Sequence, residues 1–241
     1  MSYNYKHFSS ELGEFDYDET EYMIVRVYGK PQLRYIGRGM KVNFPKGYRT
    51  CFGLFANYDG EYLDLSEFDT TGVLDMSEMF VNCHNLKKLD LSRLNTEQVV
   101  SMHSMFGSCY KLEKINFCGV STRKLTDMSF MFEECKSLKE LDLSMFNTRS
   151  VINFQSTFAC CDSLRCLDLS NFDFSNARNM QNMFELCNSL RCIDFGNTLN
   201  KECSISQSLF NFCHKLTFIN NLGIKVNESL VIHECDKLRE I

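Results

Sequence analysis

The sequence contains no run of 18 apolar residues and no cluster of basic residues. Without the first, no segment can cross a membrane as a helix. Without the second, the chain lacks the basic patch that nucleic-acid-binding proteins carry. Its net charge of −5 over 241 residues agrees with this. We therefore predict a protein that binds neither a membrane nor a nucleic acid, and that is long enough to form one or two domains with a sizeable core.

The N-terminus lacks the basic start and the apolar stretch of a secretory signal, because residues 1–22 are polar and acidic. This favours a cytoplasmic protein. The 13 cysteines include no C-x2-C pair, and the five histidines match no ligand spacing. The sequence therefore predicts no metal and no other cofactor.

Catalytic motifs are missing as well. We find no nucleophile elbow, no phosphate-binding glycine loop and no H-E-x-x-H sequence. The prediction is a protein without catalytic residues, and not an enzyme.

What the sequence does contain is an internal repeat. Blocks of 26 residues follow one another, starting at Leu63, Leu89, Ile115, Leu141, Leu167, Ile193 and Ile219. A Met-Phe pair or a variant of it recurs in most blocks, and a cysteine recurs at Cys83, Cys109, Cys135, Cys161, Cys187 and Cys213. A unit this small cannot bury its own apolar face, so stacked copies must bury it jointly. The recurring cysteines are then predicted to be small buried side chains.

Each block is predicted to form one strand and one short helix. Around Leu89 and Leu91 the pattern L-x-x-L-x-L alternates apolar and polar residues, as in a leucine-rich-repeat strand. Apolar residues then follow at helix-like spacing at Val73, Met76, Met79, Phe80 and Cys83. Suitable N-cap residues precede that stretch at Asp75, Asp127, Asn153 and Asn179.

The repeated motif "LDLSxFDT…DMSxMFxxCxxL" resembles the repeat of BspA-like leucine-rich-repeat proteins, the branch also found in mycoplasma lipoproteins. The resemblance covers about residues 52–241 and is loose after residue 192. It implies a bacterial repeat protein that binds other proteins. The predicted fold class is an α/β solenoid: a leucine-rich-repeat right-handed coil with one parallel-sheet strand and one short helix per repeat, and an N-terminal β cap.

We divide the chain into three parts. Residues 1–20 are predicted to be an acidic flexible arm, and residues 21–62 a β-rich N-terminal cap ending in half a repeat. Within the cap, two extended runs around "GKP" predict a hairpin. Residues 63–241 form seven repeats, of which the last two are degenerate and serve as a C-terminal cap.

Candidate binding residues lie on the outward side of the predicted strands, which would form a concave face. Stacked strands place equivalent residues in columns about 4.8 Å apart. The predicted partner-binding residues are Tyr62, Asp64, Lys88, Asp90, Lys114, Glu140, Asp142, Asp168, Asp194 and Phe218. The aspartate column repels itself, and either a structural role or a basic partner surface would account for it. The flanking column also places Cys166 beside Cys192, where a disulfide could form on oxidation.

These observations predict a non-catalytic, monomeric scaffold for protein–protein interaction. It would bind its partner through the concave face and the degenerate C-terminal repeats. The sharper hypothesis is a cytoplasmic immunity protein that neutralises a bacterial toxin, with a basic toxin as the partner. The alternative is a surface or secreted adhesin-like leucine-rich-repeat protein, as many relatives implied by the resemblance are.

Overall fold

A computed structural model describes residues 5–10, 13–18, 22–27, 30–37, 48–195 and 208–220 of the chain. In these residues the backbone forms short strands joined by long series of turns. The predicted half repeat and the first five predicted repeats lie almost wholly inside the described part. The predicted C-terminal cap lies largely outside it.

Two antiparallel hairpins come first. Strands β1 (Tyr5–Ser10) and β2 (Gly13–Asp18) pair with each other, as do β3 (Tyr22–Val27) and β4 (Lys30–Tyr35). The second pairing confirms the hairpin predicted around "GKP". The first hairpin lies within residues 1–20, for which we predicted a flexible arm. The proposed division of the chain into three parts remains a prediction.

Five three-residue strands follow, all parallel to their neighbours. Strands β5 (Lys88–Asp90) and β6 (Lys114–Asn116) form one sheet. Strands β7 (Cys166–Asp168), β8 (Cys192–Asp194) and β9 (Phe218–Asn220) form another. Every pairing joins residues 26 apart, so the repeat period read from the sequence is the spacing of the pairs.

The predicted fold class is wrong. It required one short helix in each repeat and one parallel sheet through all of them. No described residue is helical, and the sheets are separate and have only two or three strands each. The stretch expected to be helical is a run of consecutive turns in each described repeat, as in residues 77–82.

Backbone hydrogen bonding explains why turns replace the helix. The N–H groups of Met76, Glu78 and Phe80 donate to carbonyls of the next repeat. The alternate N–H groups, such as that of Val81, close local turns to the carbonyl three residues back. An α-helix would send all of these N–H groups to the carbonyl four residues back. Apolar spacing therefore indicated correctly which side chains are buried, but not where the backbone bonds go.

The turns also need left-handed backbone at two positions per repeat. Non-glycine residues with φ between +50° and +64° recur four residues apart, as at Glu78 and Asn82 or Phe130 and Glu134. Such a conformation is uncommon for residues with a Cβ and costs about 1–3 kcal/mol each. The bonds between repeats must offset that cost, because the same geometry returns along the chain.

The core is a column of stacked phenylalanines. Neighbouring rings lie 5.3–5.6 Å apart and within 13° of parallel, through Phe55, Phe80, Phe106, Phe132, Phe158, Phe184 and Phe210. At the N-terminal end of this column, the Tyr35 ring of β4 packs edge-on against Phe55. The Tyr35 N–H also donates to the Leu54 carbonyl. The second hairpin thus covers the first ring of the column.

The recurring cysteines lie beside this column, and their predicted burial is confirmed. Each is fully buried and donates its S–H, at 3.0–3.3 Å, to the carbonyl of a phenylalanine in the preceding repeat. Burial raises the pKa of five buried thiols, those of Cys51, Cys109, Cys135, Cys161 and Cys187. Four of them, all except Cys51, are among the cysteines that donate to a phenylalanine carbonyl, and the raised pKa keeps all five thiols protonated and unreactive.

Candidate functional site: the strand face

The predicted binding residues lie on one exposed side of the repeats, which we call the strand face. It consists of the outward residues of β5 to β9 and the equivalent residues of the other repeats. Tyr62 is 47% exposed and Phe218 39% exposed. The remaining predicted residues are exposed, except for the half-buried Asp194: Asp64, Lys88, Asp90, Lys114, Glu140, Asp142 and Asp168.

The column that contains Tyr62 varies in residue type along the face. Tyr62 forms an isolated parallel β-bridge with Lys88, and Lys88 is in register with Lys114 in the β5–β6 pair. Further along, Cys166 is in register with Cys192, and Cys192 with Phe218. The column is therefore aromatic and basic at one end, and carries thiols and an aromatic ring at the other.

The neighbouring aspartate column is held by its own backbone. The carboxylates of Asp64, Asp90, Asp142 and Asp168 each accept the N–H two residues later at 2.9–3.0 Å. Asn116 takes the same role in its repeat and also donates its side-chain amide to Asp90. These bonds give the column a structural role and account for its recurrence in these five repeats.

Those bonds also stabilise the charged form of the carboxylates. The N–H and the hydroxyl of Ser92 hold the pKa of Asp90 below its usual value. The hydroxyl and the N–H of Ser144 lower the pKa of Asp142. Both residues stay ionised at neutral pH, so the face keeps its negative charges although each carboxylate has a local donor.

The lysines of the face, unlike its aspartates, are not held by a local partner in the described residues. Among the described residues, neither Lys88 nor Lys114 has an acidic group within ion-pair distance. Like charges directly opposite on neighbouring strands repel each other. A groove of about 790 Å³ opens beside the two lysines, lined also by Tyr62, Asp142 and Met145. The groove therefore places two lysines, which have no ion-pair partner in the described residues, and an exposed aromatic ring beside the ionised carboxylates of Asp90 and Asp142.

The strand face is interrupted between β6 and β7. Within the described part of the chain, none of the N–H groups of residues 139–143 donates a backbone hydrogen bond. In the neighbouring repeats, the equivalent N–H groups of Glu113 and Leu169 do donate to the adjacent repeat. Leu141 is correspondingly half-buried, whereas Leu89 and Leu167 are buried. Glu140 lies at this interruption and pairs with neither sheet.

The two cysteines of the varying column form a disulfide. Cys166 and Cys192 are joined across β7 and β8 with their Cα atoms 4.8 Å apart. Their predicted proximity is confirmed. Nine other cysteines of the described part are free, and Cys118 is the one of these that is exposed.

The sequence reasoning missed a column of buried threonines. Thr70, Thr96, Thr122 and Thr148 donate their hydroxyls at 2.9–3.1 Å to a carbonyl of the next repeat. Their position at the same point of each block is the signal that could have revealed them. They tie repeats together and do not reach the strand face.

One histidine–serine–aspartate arrangement also occurs, away from the strand face. The His103 ring lies 2.8 Å from the Ser129 hydroxyl, which donates to Asp127 at 2.6 Å. Ser129 is only 1% exposed. Because its hydroxyl is buried and already donates to Asp127, the arrangement is a structural network and not a nucleophile with its base.

Metal-ligand clusters and membrane-spanning helices are both absent from the described residues. No three side chains of His, Cys, Asp or Glu come together there as metal ligands. Within the same residues, no helix has the length and apolarity that crossing a membrane requires.

Comparison with known proteins gives a family. The family profile described as "Mycoplasma protein of unknown function, DUF285" matches residues 50–140 and 116–217. The chain belongs to this family. The two DUF285 matches overlap, as expected when one profile spans several copies of a repeat. No curated protein and no solved structure matches the chain. The family match agrees with the mycoplasma part of the resemblance and assigns no function.

Proposed function

We propose that this DUF285 protein is a non-catalytic scaffold that binds a partner protein through the strand face. The observation that carries the proposal is the pair of exposed lysines, Lys88 and Lys114, which lie in register without an acidic partner in the described residues. Acidic groups of a second protein would supply the missing ion pairs. Tyr62 lies next to them, and exposed aromatic residues are common anchors in protein interfaces.

The face can bind a partner without endangering the fold. Its aspartates are already held by backbone N–H groups, and its varying column is exposed except at the half-buried Cys192. The residues that differ between copies are therefore the ones that a partner can read. We extend the same role to Glu140 and Phe218, which stand in that column.

A site-specific cross-linking experiment tests this proposal. A photoreactive phenylalanine analogue replaces Tyr62 or Phe218, one position at a time, and irradiation follows in the native organism. The matched control carries the analogue at Thr71, an exposed residue outside the strand face. We expect both face positions to cross-link the same protein and Thr71 not to do so.

Charge variants then identify the side chains that bind. Lys88→Ser with Lys114→Ser should weaken the cross-link if the lysines contact an acidic surface. Asp64→Asn with Asp168→Asn should weaken it if the partner is basic, as the aspartate column suggested. Equal cross-linking from Thr71 and Tyr62, or no effect of either pair of substitutions, would contradict binding through this face.

The finer form of the proposal is a BspA-like, cytoplasmic immunity protein that neutralises a toxin. It rests on the repeat motif, since leucine-rich repeats also serve as partners of bacterial toxins. Co-expression tests it directly: the cross-linked partner should arrest growth when expressed alone and lose that toxicity together with this chain. A partner that is harmless alone would remove the immunity function and leave the scaffold.

The second candidate is a surface or secreted binding protein, and the Cys166–Cys192 disulfide favours it. Disulfides persist in oxidising compartments and are rare in the cytosol. Alkylation of free thiols in intact cells, before lysis, decides between the two locations. A protected Cys166–Cys192 pair in an extracellular fraction supports the adhesin-like role, and two alkylated thiols in the cytosol exclude it.

A further inference from the structure

A second exposed surface lies on another side of the repeats. Leu74, Val100 and Ile152 are 46%, 41% and 42% exposed, although they are large aliphatic residues. They occupy the same position in different repeats, with Thr126 between Val100 and Ile152. We call these four residues the aliphatic column. It shares no residue with the strand face.

The backbone shows that the column is continuous. The Val100 N–H donates to the Leu74 carbonyl, the Thr126 N–H to the Val100 carbonyl, and the Ile152 N–H to the Thr126 carbonyl. The N–H groups of the column are thus used between repeats, and a partner could not add a strand here. Only the side chains are available. They present a strip one residue wide, with three aliphatic side chains on either side of Thr126, whose hydroxyl donates to the Val100 carbonyl.

An arginine stands at each end of the strip. The Leu74 N–H donates to the Arg49 carbonyl, and the Arg178 N–H donates to the Ile152 carbonyl, so both arginines continue the column. Both are exposed, and within the described residues neither guanidinium has an ion-pair partner. At about 4.8 Å per repeat, the two arginines lie about 24 Å apart.

Most charges beside the column are basic or already hydrogen-bonded, and the exposed Glu97, three residues before Val100, is an acidic exception. Lys124 is exposed two residues before Thr126 and donates to the Gln98 side chain. On the other side, the half-buried carboxylates of Asp75 and Asp127 accept the N–H groups of Ser77 and Ser129. On a chain with a net charge of −5, this strip is a basic-ended surface.

We propose that the aliphatic column is a docking site for a segment of another protein whose aliphatic centre is flanked by acidic residues at both ends. The aliphatic side chains would be buried by the centre of the segment, and the acidic ends would pair with Arg49 and Arg178. This proposal is independent of the strand face and concerns a second contact.

Two other occupants fit the strip less well. Two-fold pairing of two copies of this chain would bring the arginine at one end of the column against the arginine at the other end, where like charges repel. A lipid surface is favoured by aromatic side chains or a broad apolar face, and the strip has three aliphatic side chains in a single line.

A synthetic peptide provides the probe. A helix of about 16 residues spans about 24 Å, so the probe carries two glutamates at each end and leucines along one face, and its control replaces the glutamates with lysines. Fluorescence anisotropy on the full chain should show saturable binding of the acidic peptide, at least about tenfold tighter than the lysine peptide. No saturable binding of the acidic peptide, or equal binding of both, would overturn the proposal.

Substitutions place the probe on the column. Val100→Thr with Ile152→Thr copies the residue that the column itself carries at Thr126, so the fold should be retained. We expect this variant to bind about tenfold more weakly. The matched control is Ile36→Thr, which removes an aliphatic side chain that is 45% exposed elsewhere, and it should leave binding unchanged. Equal binding by the wild-type chain and the double variant would contradict the proposal.

Separate experiments test the role of the two arginines and the two alternative occupants, a membrane and a second copy of the chain. Arg49→Gln with Arg178→Gln should weaken binding about tenfold at low salt and little at high salt, because salt screens exposed charges. Binding to phosphatidylserine vesicles without binding of the peptide would assign the strip to a membrane. Dimerisation that Val100→Thr with Ile152→Thr abolishes would assign it to a second copy. Both results would overturn the protein-segment proposal.

Discussion

The turn layer and the strand face come from the same 26-residue repeat, yet they differ in continuity. By turn layer we mean the consecutive turns of each repeat with the phenylalanine column and the buried cysteines beneath them. In that layer the rings stack without a break from Phe55 to Phe210. The strand face breaks at residues 139–143, and its varying column changes from Tyr62 to Phe218.

This difference separates two tasks. The turn layer repeats the same buried contacts, so stability is spread over many copies of one arrangement. The strand face repeats its aspartates but not the exposed column beside them. Except at the disulfide-bonded Cys166 and Cys192, substitutions in that column should cost the fold little, so its residues are free to serve a partner. The predictions below test whether stability and binding divide in this way.

The largest expected effect is alkaline unfolding of the turn layer. Burial raises the pKa of the Cys51, Cys109, Cys135, Cys161 and Cys187 thiols above their ordinary value of 9.0. The unfolded chain therefore releases these protons first as the pH rises, and the folded state loses stability. Stability from the thiols is fully present below about pH 8 and falls above about pH 9, by up to about 1.4 kcal/mol per pH unit for each thiol. Urea unfolding at a series of pH values under reducing conditions measures the free energy of unfolding as a function of pH.

Matched cysteine variants assign that effect to the turn layer. Cys135→Ala should reduce the slope of stability against pH by about 1.4 kcal/mol per unit. Cys118→Ala is the matched control, because the thiol that it removes is exposed. A stability that stays level to pH 10, or a slope that both variants reduce alike, would break the distinction between the two regions.

The second effect compares two aromatic residues, one from each region. Phe132→Ala removes a fully buried ring that stacks at 5.5 Å on both Phe106 and Phe158, and should cost about 3–5 kcal/mol of unfolding free energy. Tyr62→Ala removes an exposed ring and should cost less than about 0.5 kcal/mol. Chemical denaturation of the two variants measures both. Similar losses would show that the strand face carries stability too.

The third effect concerns the covalent link within the strand face. Cys166→Ser with Cys192→Ser removes the disulfide and should lower the stability by about 2–4 kcal/mol. A dithiol reductant should lower the wild-type melting temperature and leave that of the double variant unchanged. Cys118→Ser is the control and should behave as the wild type. If the reductant left the wild-type melting temperature unchanged, the disulfide would not contribute to stability.

The smallest expected effect is the change in stability when a residue at a left-handed turn position is replaced. Asn82 has a φ of +60°, which a β-branched residue adopts only with strain. Asn82→Val should therefore cost about 1–3 kcal/mol, whereas Asn82→Gly relieves the strain and should change stability by less than about 1 kcal/mol. Thermal unfolding of both variants compares them. Equal stability of the valine and glycine variants would mean that this backbone geometry is not required.

The repeat period, the buried residues and the columns of the strand face could be predicted from the sequence. Periodicity places Cys166 beside Cys192 because each copy repeats the same letters at the same spacing. The sequence could not show, however, that the apolar stretch of each repeat forms turns and not a helix. Buried residues at helical spacing also suit a run of turns, and the left-handed positions such as Glu78 and Phe130 have no common residue type.

The interruption of the strand face shows a second limit. Residues 141–144 read "LDLS", as do residues 89–92, yet only the latter contribute to a described sheet. Identical letters thus give different backbone pairing in two repeats. Strand pairing depends on contacts with both neighbouring repeats, and the sequence of a single repeat does not contain that information. The threonine column escaped notice for another reason, since its polar side chains suggested a surface position although they are buried.

Hydrogen exchange resolved to single amides tests the central division most directly. The amides of Phe132 and Glu134 donate to the next repeat in the turn layer, whereas those of residues 139–143 have no acceptor in the described part of the chain. We predict that Phe132 and Glu134 exchange only through global unfolding and that residues 139–143 exchange by local exposure, many times faster. Equal protection of the two segments would contradict a continuous turn layer beside an interrupted strand face.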